Sequence, residues 1–336
     1  MIGHNSLFGP VDPAHDAGYD DPPKRKGFFT DTSICIGCKA CEVACKEWND
    51  VPEAGFDMLG SSYDNSHSLN ADQWRHVTFI EQPGRTGEQE RGPRRPVDLG
   101  LPTVGPEEVG PEVGSVETGG PEVLLPDDME GEKPDFRWLM SSDVCKHCTH
   151  AACLDVCPTG SLFRTEFGTV VVQDDICNGC GYCVPACPYG VIDRRRGSGD
   201  NKSGDNKVVL NEGIAQKCTL CYDRLRADQK PACAQACPTE SIQFGDVEEL
   251  RRRADERVAR LHEAGVMDAR LYGNDPNDGV GGAGAFFLLL DEPEVYGLPP
   301  DPVVSTKDLP KMFNRATAAA VAMLAGAAVS FLGRRR

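Results

Sequence analysis

Sixteen cysteines, arranged as four tight groups of four, constrain the fold of this 336-residue chain more than any other feature. By spacing, the four groups are Cys35-x2-Cys38-x2-Cys41-x3-Cys45; Cys145-x2-Cys148-x4-Cys153-x3-Cys157; Cys177-x2-Cys180-x2-Cys183-x3-Cys187; and Cys218-x2-Cys221-x11-Cys233-x3-Cys237. A disulfide framework is disfavoured because four neighbouring thiols in one loop would scramble. The grouping therefore indicates metal binding.

The spacing within the groups favours iron-sulfur clusters. Groups one and three match the bacterial two-cluster run, in which three close thiolates bind one 4Fe-4S cubane and the fourth reaches a neighbouring cluster. Proline follows the last cysteine at Pro158, Pro188 and Pro238, where its fixed φ turns the chain away, whereas Lys46 takes this place in group one. Sixteen thiols in this arrangement predict four 4Fe-4S clusters.

Four tetrahedral zinc sites are the alternative, because two Cys-x2-Cys pairs also make a zinc ribbon. Zinc sites seldom need a third cysteine after two residues and a fourth after three more. Two groups have this rhythm and the other two have it in stretched form, which favours iron and sulfide. Measuring the metal content of the protein decides between an electron-transfer protein and a zinc-binding scaffold protein.

The charge and the first residues exclude some functions. The net charge of −17 lacks the basic footprint of a nucleic-acid binder, so we expect no nucleic-acid partner. Residues 1–30 are polar and lack the apolar stretch of a secretory signal, so export would need a signal on another chain.

Several segments predict regular structure. Residues 75–81, 168–173 and 286–290 are typical of strands, and Val247 to Gly265 predicts a surface helix. The apolar stripe of that helix consists of Leu250, Ala254, Val258 and Leu261. Residues 82–134 are rich in Pro, Gly and Glu and predict a disordered insertion, and residues 196–206 have the composition of a loop.

Other candidate site residues have plainer interpretations. His147 and His150 lie within group two, but four thiols already serve each cluster, so we expect these histidines to support the site without binding metal. The glycine-rich stretch 279–284 does not link a clear strand to a helix and is a weak match to a phosphate loop. The sequence offers no pair of nucleophile and base, which predicts a non-catalytic subunit.

Longer segments resemble the iron-sulfur (beta) subunit of membrane-bound, molybdopterin-dependent formate dehydrogenases. The likeness spans about residues 28–333 and goes beyond the cysteines. The matching segments are 35–50, 177–187, 217–224, 72–79, 242–245, 256–259, 279–282 and 296–299. The cysteine motifs alone are also similar to those of dimethyl-sulfoxide and nitrate reductase subunits. All sixteen positions are cysteines in this sequence, whereas nitrate reductase relatives replace one of the cysteines. This difference counts against a nitrate reductase subunit.

The resemblance implies an α+β fold of two ferredoxin-like 4Fe-4S domains in pseudo-twofold arrangement, plus a C-terminal helix. Groups one and four would share two clusters, and groups two and three the other two. The implied ligand sets are Cys35, Cys38, Cys41 and Cys237; Cys45, Cys218, Cys221 and Cys233; Cys145, Cys148, Cys153 and Cys187; and Cys157, Cys177, Cys180 and Cys183.

Composition along the chain and the resemblance together set the expected domain boundaries. We expect a flexible arm over 1–27, one two-cluster domain from 28–81 with 207–246, and a second over 135–206. The insertion over 82–134, a C-terminal subdomain over 247–310 and a helix over 311–336 complete the chain.

The implied function is electron relay from a molybdopterin catalytic (alpha) subunit to a haem b membrane (gamma) subunit and quinone. A relay subunit of another molybdopterin enzyme or of a hydrogenase is the alternative. Residues 316–333 carry no charge and span about 27 Å as a helix, close to the thickness of a bilayer core, which predicts one membrane span. The arginines at 334–336 favour cluster domains on the outer, periplasmic face, although Lys307, Lys311 and Arg315 flank the other end.

Overall fold

The computed structural model describes residues 12–53, 63–64, 66, 68–82, 137–196 and 210–333. Four parts of the chain named above lie outside the described residues: the start of the expected arm (1–11), the insertion (83–134), most of the loop over 196–206 and the terminal arginines (334–336). The chain divides into a main body, residues 1–79 with 140–336, and a second unit, residues 80–139. The described residues of the second unit are 80–82 and 137–139, which belong to strands.

The described part of the chain mixes short helices with short strands. The helices are α1 (Pro13–Asp16), α2 (Ala40–Asn49), α3 (Ala152–Asp155), α4 (Cys183–Ala186), α5 (Tyr222–Arg226), α6 (Ala232–Gln235), α7 (Val247–Glu263) and α8 (Leu309–Gly333). The strands are β1 (Lys26–Asp31), β2 (Arg75–Gln82), β3 (Arg137–Val144), β4 (Leu162–Arg164), β5 (Val170–Val172), β6 (Asp193–Arg194), β7 (Ala215–Gln216), β8 (Ile242–Asp246), β9 (Arg270–Tyr272) and β10 (Ala285–Leu289).

A four-stranded sheet in the order β8-β1-β10-β9 forms the base of the main body. Strand β1 runs parallel to β10 and antiparallel to β8, and β9 runs antiparallel to β10. The pairs β2-β3, β4-β5 and β6-β7 form two-stranded sheets. The predicted strands over 75–81, 168–173 and 286–290 are confirmed as β2, β5 and β10, with ends that shift by a residue or two.

Helix α7 confirms the predicted amphipathic helix. Leu250, Ala254 and Leu261 are buried, and the partly buried Val258 packs against the same apolar cluster. This cluster includes Phe29 of β1 and Phe286 of β10, whose rings stack with centroids 5.4 Å apart. The stripe therefore covers one face of the sheet, which is the usual reason for a 3.6-residue apolar period.

The opposite side of β1 contacts the cysteines. Phe28 is fully buried in an apolar cluster with Cys41, Cys45, Cys145, Cys218 and Cys233. Adjacent residues of a strand point to opposite faces, so Phe28 and Phe29 face different cores. Strand β1 thus joins the cysteine-rich core to the sheet and helix α7.

Four short helices carry five of the cysteines and pack in two pairs. Helix α2 of group one packs against α6 of group four, and α3 of group two packs against α4 of group three. Each of these helices carries cysteines in its first turns, and α2 carries both Cys41 and Cys45. Helix packing therefore joins groups that lie far apart in the sequence.

Residues 12–25 make contacts that a free arm would lack. The Tyr19 hydroxyl donates to the Arg164 carbonyl at 3.2 Å. The buried Arg25 guanidinium donates to Thr149 Oγ1 at 2.7 Å and to the His147 carbonyl at 2.8 Å. The expectation of a flexible arm is wrong for this segment, because its hydrogen-bond acceptors lie more than a hundred residues away in the sequence. The segment instead braces the loop of cysteine group two.

The glycine-rich stretch 279–284 braces the same loop. The amides of Thr149 and His150 donate to the carbonyls of Gly282 at 3.0 Å and Val280 at 2.8 Å. A Cβ atom at Gly281 would lie 2.5 Å from the His150 ring, and Gly281 has φ of +75°. Glycine is needed here because one backbone approaches another closely.

Helix α8 contributes nothing to these cores. Its described side chains are exposed along the whole helix. Within the described residues, α8 is the one helix long and apolar enough to cross a membrane, with a mean hydropathy of 1.6 over Met312–Leu332.

We predict that Gly27→Ala destabilises the protein and that Gly245→Ala does not. The two glycines face each other in the β1-β8 register. A Cβ at Gly27 would lie 1.9 Å from the Gly284 carbonyl oxygen, whereas one at Gly245 would make ordinary contact with Leu250 at 3.7 Å. We expect a loss of about 1–3 kcal/mol or more for Gly27→Ala and little change or a slight gain for Gly245→Ala.

Thermal unfolding followed by circular dichroism under anaerobic conditions measures the difference. Equal unfolding midpoints for the two variants would show that β1 and the glycine-rich stretch do not approach as closely as described.

Candidate metal centres

All sixteen cysteines are free thiols, and they lie in four sets that we call quartets one to four. Quartet one contains Cys35, Cys38, Cys41 and Cys237, which line one cavity of about 300 Å³. Three of its thiols come from group one and the fourth comes from group four. Four sulfur donors around one cavity suit an iron-sulfur cluster.

Local geometry sets the sulfur positions of quartet one. Cys35 follows a short 3-10 helix at the end of β1, and Cys41 lies in the first turn of α2. Gly37 between them has φ of +66°, and a Cβ there would lie 2.6 Å from the Phe79 ring. The loop can wrap the cavity tightly because this position is glycine.

Quartet three has the same construction with different groups. Cys145, Cys148 and Cys153 of group two and Cys187 of group three line a cavity of about 380 Å³. Burial raises the pKa of Cys153 to about 12, and the neighbouring thiols of Cys145 and Cys187 act in the same direction. Such thiols give up their protons when a metal binds and supplies positive charge.

Quartet two is buried and contains Cys45, Cys218, Cys221 and Cys233. Burial raises the pKa of Cys45 well above its usual value, and the thiols of Cys218, Cys233 and Cys221 raise it further. The Asn49 amide lies 3.7 Å from Cys45 Sγ and 3.8 Å from Cys221 Sγ, within reach of both sulfurs. One thiol comes from group one and three come from group four.

Quartet four contains Cys157, Cys177, Cys180 and Cys183. Burial raises the pKa of Cys183 to about 11, with Cys177, Cys180 and Cys157 contributing. Burial alone would also raise the pKa of Cys157, but hydrogen bonds from the backbone of Leu162 and from Thr159 lower it to about 7. One thiol comes from group two and three come from group three.

The quartets are neighbours in the order one, two, three, four, and we call this order the row. Cys233 of quartet two raises the pKa of Cys41 in quartet one, and Cys145 of quartet three raises that of Cys218 in quartet two, each acting after burial. Cys183 of quartet four likewise affects the pKa of Cys153 in quartet three. Cys38 in quartet one and Cys180 in quartet four are exposed, so both ends of the row reach the surface.

One nitrogen of His147 is engaged outside the quartets. His147 is buried, and its Nδ1 accepts a hydrogen bond from the Val170 amide at 3.1 Å. Burial, together with the charges of Lys217 and Arg25, lowers the pKa of His147 well below its usual value, which keeps the ring neutral. Within the described residues, no set of three or more His, Cys, Asp or Glu side chains converges as ligands of a single metal ion do.

Three buried cations near the quartets were not predicted. Arg75, Lys146 and Lys217 are each 1% exposed in a chain of net charge −17. Lys217 precedes Cys218 and donates to its carbonyl at 3.0 Å, and Lys146 pairs with Asp143. A lysine beside a cysteine is a weak signal in a sequence, because most lysines are solvated.

Comparison with known proteins agrees with this geometry. Two models of the 4Fe-4S dicluster domain match residues 34–161 and 136–247. The formate dehydrogenase iron-sulfur subunit of Haemophilus influenzae is 35% identical over 82% of this chain and 68% of its own length. The nitrate-inducible formate dehydrogenase iron-sulfur subunit of Escherichia coli is 34% identical over 82% of this chain and 73% of its own.

A second kind of relative is less similar. A component of the anaerobic dimethyl sulfoxide reductase of Escherichia coli is 29% identical over 69% of this chain and 79% of its own length. The expected α+β fold with ferredoxin-like dicluster domains and a C-terminal helix is confirmed. The chain belongs to the family of formate dehydrogenase iron-sulfur subunits, which are electron-transfer subunits and not catalytic ones.

Proposed function

We propose that each quartet holds one 4Fe-4S cluster, giving four per chain. The observation that carries this proposal is that thiols from two distant cysteine groups enclose each of the two cavities. The ligands would be Cys35, Cys38, Cys41 and Cys237; Cys45, Cys218, Cys221 and Cys233; Cys145, Cys148, Cys153 and Cys187; and Cys157, Cys177, Cys180 and Cys183. A bound cluster supplies reversible one-electron chemistry.

The row of quartets supports a relay function. Neighbouring quartets are close enough for their thiols to influence one another, and each end of the row has an exposed cysteine. The protein keeps quartets two and three away from water within the apolar core and leaves Cys38 and Cys180 accessible to partners. Electrons would then enter at one end of the row of clusters and leave at the other.

The partners follow from the family. The relatives are subunits of enzyme complexes, and their names include formate dehydrogenase and dimethyl sulfoxide reductase. A catalytic subunit with a molybdopterin cofactor would oxidise formate and supply electrons, and a haem b membrane subunit would accept them and reduce quinone. Formate dehydrogenase is favoured over a reductase of dimethyl sulfoxide. The formate dehydrogenase subunits are more nearly identical to this chain, and they match more of it.

Helix α8 supports membrane attachment. Its apolar stretch of 21 residues is long enough to span a bilayer, and the chain itself leaves these side chains uncovered. We propose a single span with the cluster domains on the outer, periplasmic face. We also propose the domain boundaries expected from the sequence, except that residues 12–25 are not a free arm.

We predict that paired Cys→Ser variants show whether each cluster is bound by one cysteine group or shared between two. Cys35→Ser with Cys237→Ser removes two ligands of one proposed cluster, so about four iron atoms per chain should be lost. Cys233→Ser with Cys237→Ser removes two thiols from a single group but one from each of two clusters, so signals of two clusters should change. Iron analysis and electron paramagnetic resonance (EPR) of the dithionite-reduced protein measure both.

The two double variants lose the same number of thiols, so each controls for the other. If Cys233→Ser with Cys237→Ser disturbed a single cluster while Cys35→Ser with Cys237→Ser disturbed two, each group would hold its own cluster and the proposed sets would fail.

We predict that removal of residues 309–336 abolishes lipid binding and leaves the iron content unchanged, because the described side chains of α8 are exposed. The purified full chain should float with phospholipid vesicles in a density gradient, and the shortened chain should not. Val321→Arg is a matched point variant, since a central arginine costs about 2.5–3.5 kcal/mol of insertion free energy. Equal flotation of all three proteins would contradict a role of α8 in membrane attachment.

A further inference from the structure

Arg75 is a buried cation without a carboxylate partner among the described residues. It lies in β2 and is 1% exposed. Its Nη1 donates to the Ser142 carbonyl at 3.2 Å and to Ser142 Oγ at 2.9 Å, and the guanidinium carbon lies 5.0 Å from the centre of the Phe28 ring. Nε and Nη2 are buried and have no hydrogen-bond partner in the described part of the chain.

An unpaired guanidinium in the interior is costly unless nearby negative charge offsets its lost hydration. The ring of Phe28, which lies against the guanidinium, packs in one cluster with Cys41, Cys45, Cys218 and Cys233. As thiolates around a bound cluster, these four sulfurs would supply negative charge beside Arg75. Cys41 belongs to quartet one and the other three to quartet two, so Arg75 lies beside both.

Ser142 connects Arg75 to a proposed ligand. Its Oγ lies 3.2 Å from Cys41 Sγ. Because Oγ accepts a hydrogen bond from Nη1, its own proton is free to donate to the sulfur. Hydrogen bonds to cluster sulfurs raise reduction potentials because they stabilise added negative charge.

The other two buried cations differ from Arg75. Lys146 is paired with Asp143, and Lys217 donates to the carbonyls of Val170 and Cys218. The ammonium nitrogen of each lysine therefore has a hydrogen-bond partner in the protein. Arg75 alone of the three has nitrogen atoms without one, judged on the described residues, and their N–H groups are available to a bound group.

Building on the function proposed above, we propose that Arg75 is a positioning residue that sets the potentials of the clusters in quartets one and two. Its fixed charge and N–H groups stabilise the reduced state, in which a cluster has gained one electron. Ser142 extends this effect to Cys41. The pair of clusters beside Arg75 is thereby easier to reduce than the same clusters would be without it.

An EPR-monitored redox titration of the complete protein with dithionite tests the proposal. For Arg75→Met we expect two of the four midpoint potentials to fall by about 59 mV or more each. For one electron this corresponds to a tenfold or larger loss in the equilibrium constant of reduction. The other two potentials should stay in place. Arg75→Lys keeps the charge and should restore most of the loss.

Arg195→Met is the matched control. Arg195 is also buried, but it pairs with Asp72 and contacts the carbonyls of Leu210 and Ala71. Its loss should leave all four potentials unchanged. Equal shifts in Arg195→Met and Arg75→Met, or no shift in Arg75→Met at full iron content, would overturn the proposal.

A further variant covers the case in which Arg75→Met loses iron. Ser142→Ala removes only the hydroxyl beside Cys41, so the potential of one cluster should fall at unchanged iron content. An unchanged potential in Ser142→Ala would then reject the proposal, because Ser142 is the contact through which Arg75 reaches Cys41. Absence of clusters from the unaltered protein would instead reject the proposed function.

Discussion

The packing of helix α2 against α6, and of α3 against α4, is the interaction on which the rest of the structure depends. It brings Cys237 to the cavity lined by Cys35 and Cys41, and Cys187 to the cavity lined by Cys145. Each quartet draws on two groups, so no group completes a site by itself. Cofactor binding and folding are therefore coupled, as in other proteins whose metal ligands come from distant parts of the chain.

Charge is distributed to suit such a site. The chain is strongly acidic, yet Arg75, Lys146 and Lys217 are buried beside the quartets. A cluster bound by four thiolates carries negative charge and gains more when it is reduced, so cations in a low-dielectric interior favour that state. On the exposed face of α7, by contrast, acidic residues pair with arginines of the same helix, as Glu249 does with Arg252 and Arg253.

Local and periodic features were predictable from the sequence. The cysteine spacing, the stripe on α7 and the apolar run of β10 each follow from contacts a few residues apart or from simple burial. The bracing of the group-two loop by Arg25 and by residues 279–284 was not predicted, because it depends on carbonyls that tertiary folding brings close. Arg75 was missed for the same reason, since an arginine in a strand gives no sign in the sequence that it is buried without an acid. The order of the quartets in the row also needed the fold.

Iron, acid-labile sulfide and zinc in anaerobically purified protein, with the visible spectrum before and after dithionite, test the central claim most directly. Four 4Fe-4S clusters predict about sixteen iron and sixteen sulfide per chain and a brown absorbance that bleaches on reduction. A colourless protein with about four zinc per chain would contradict the electron relay.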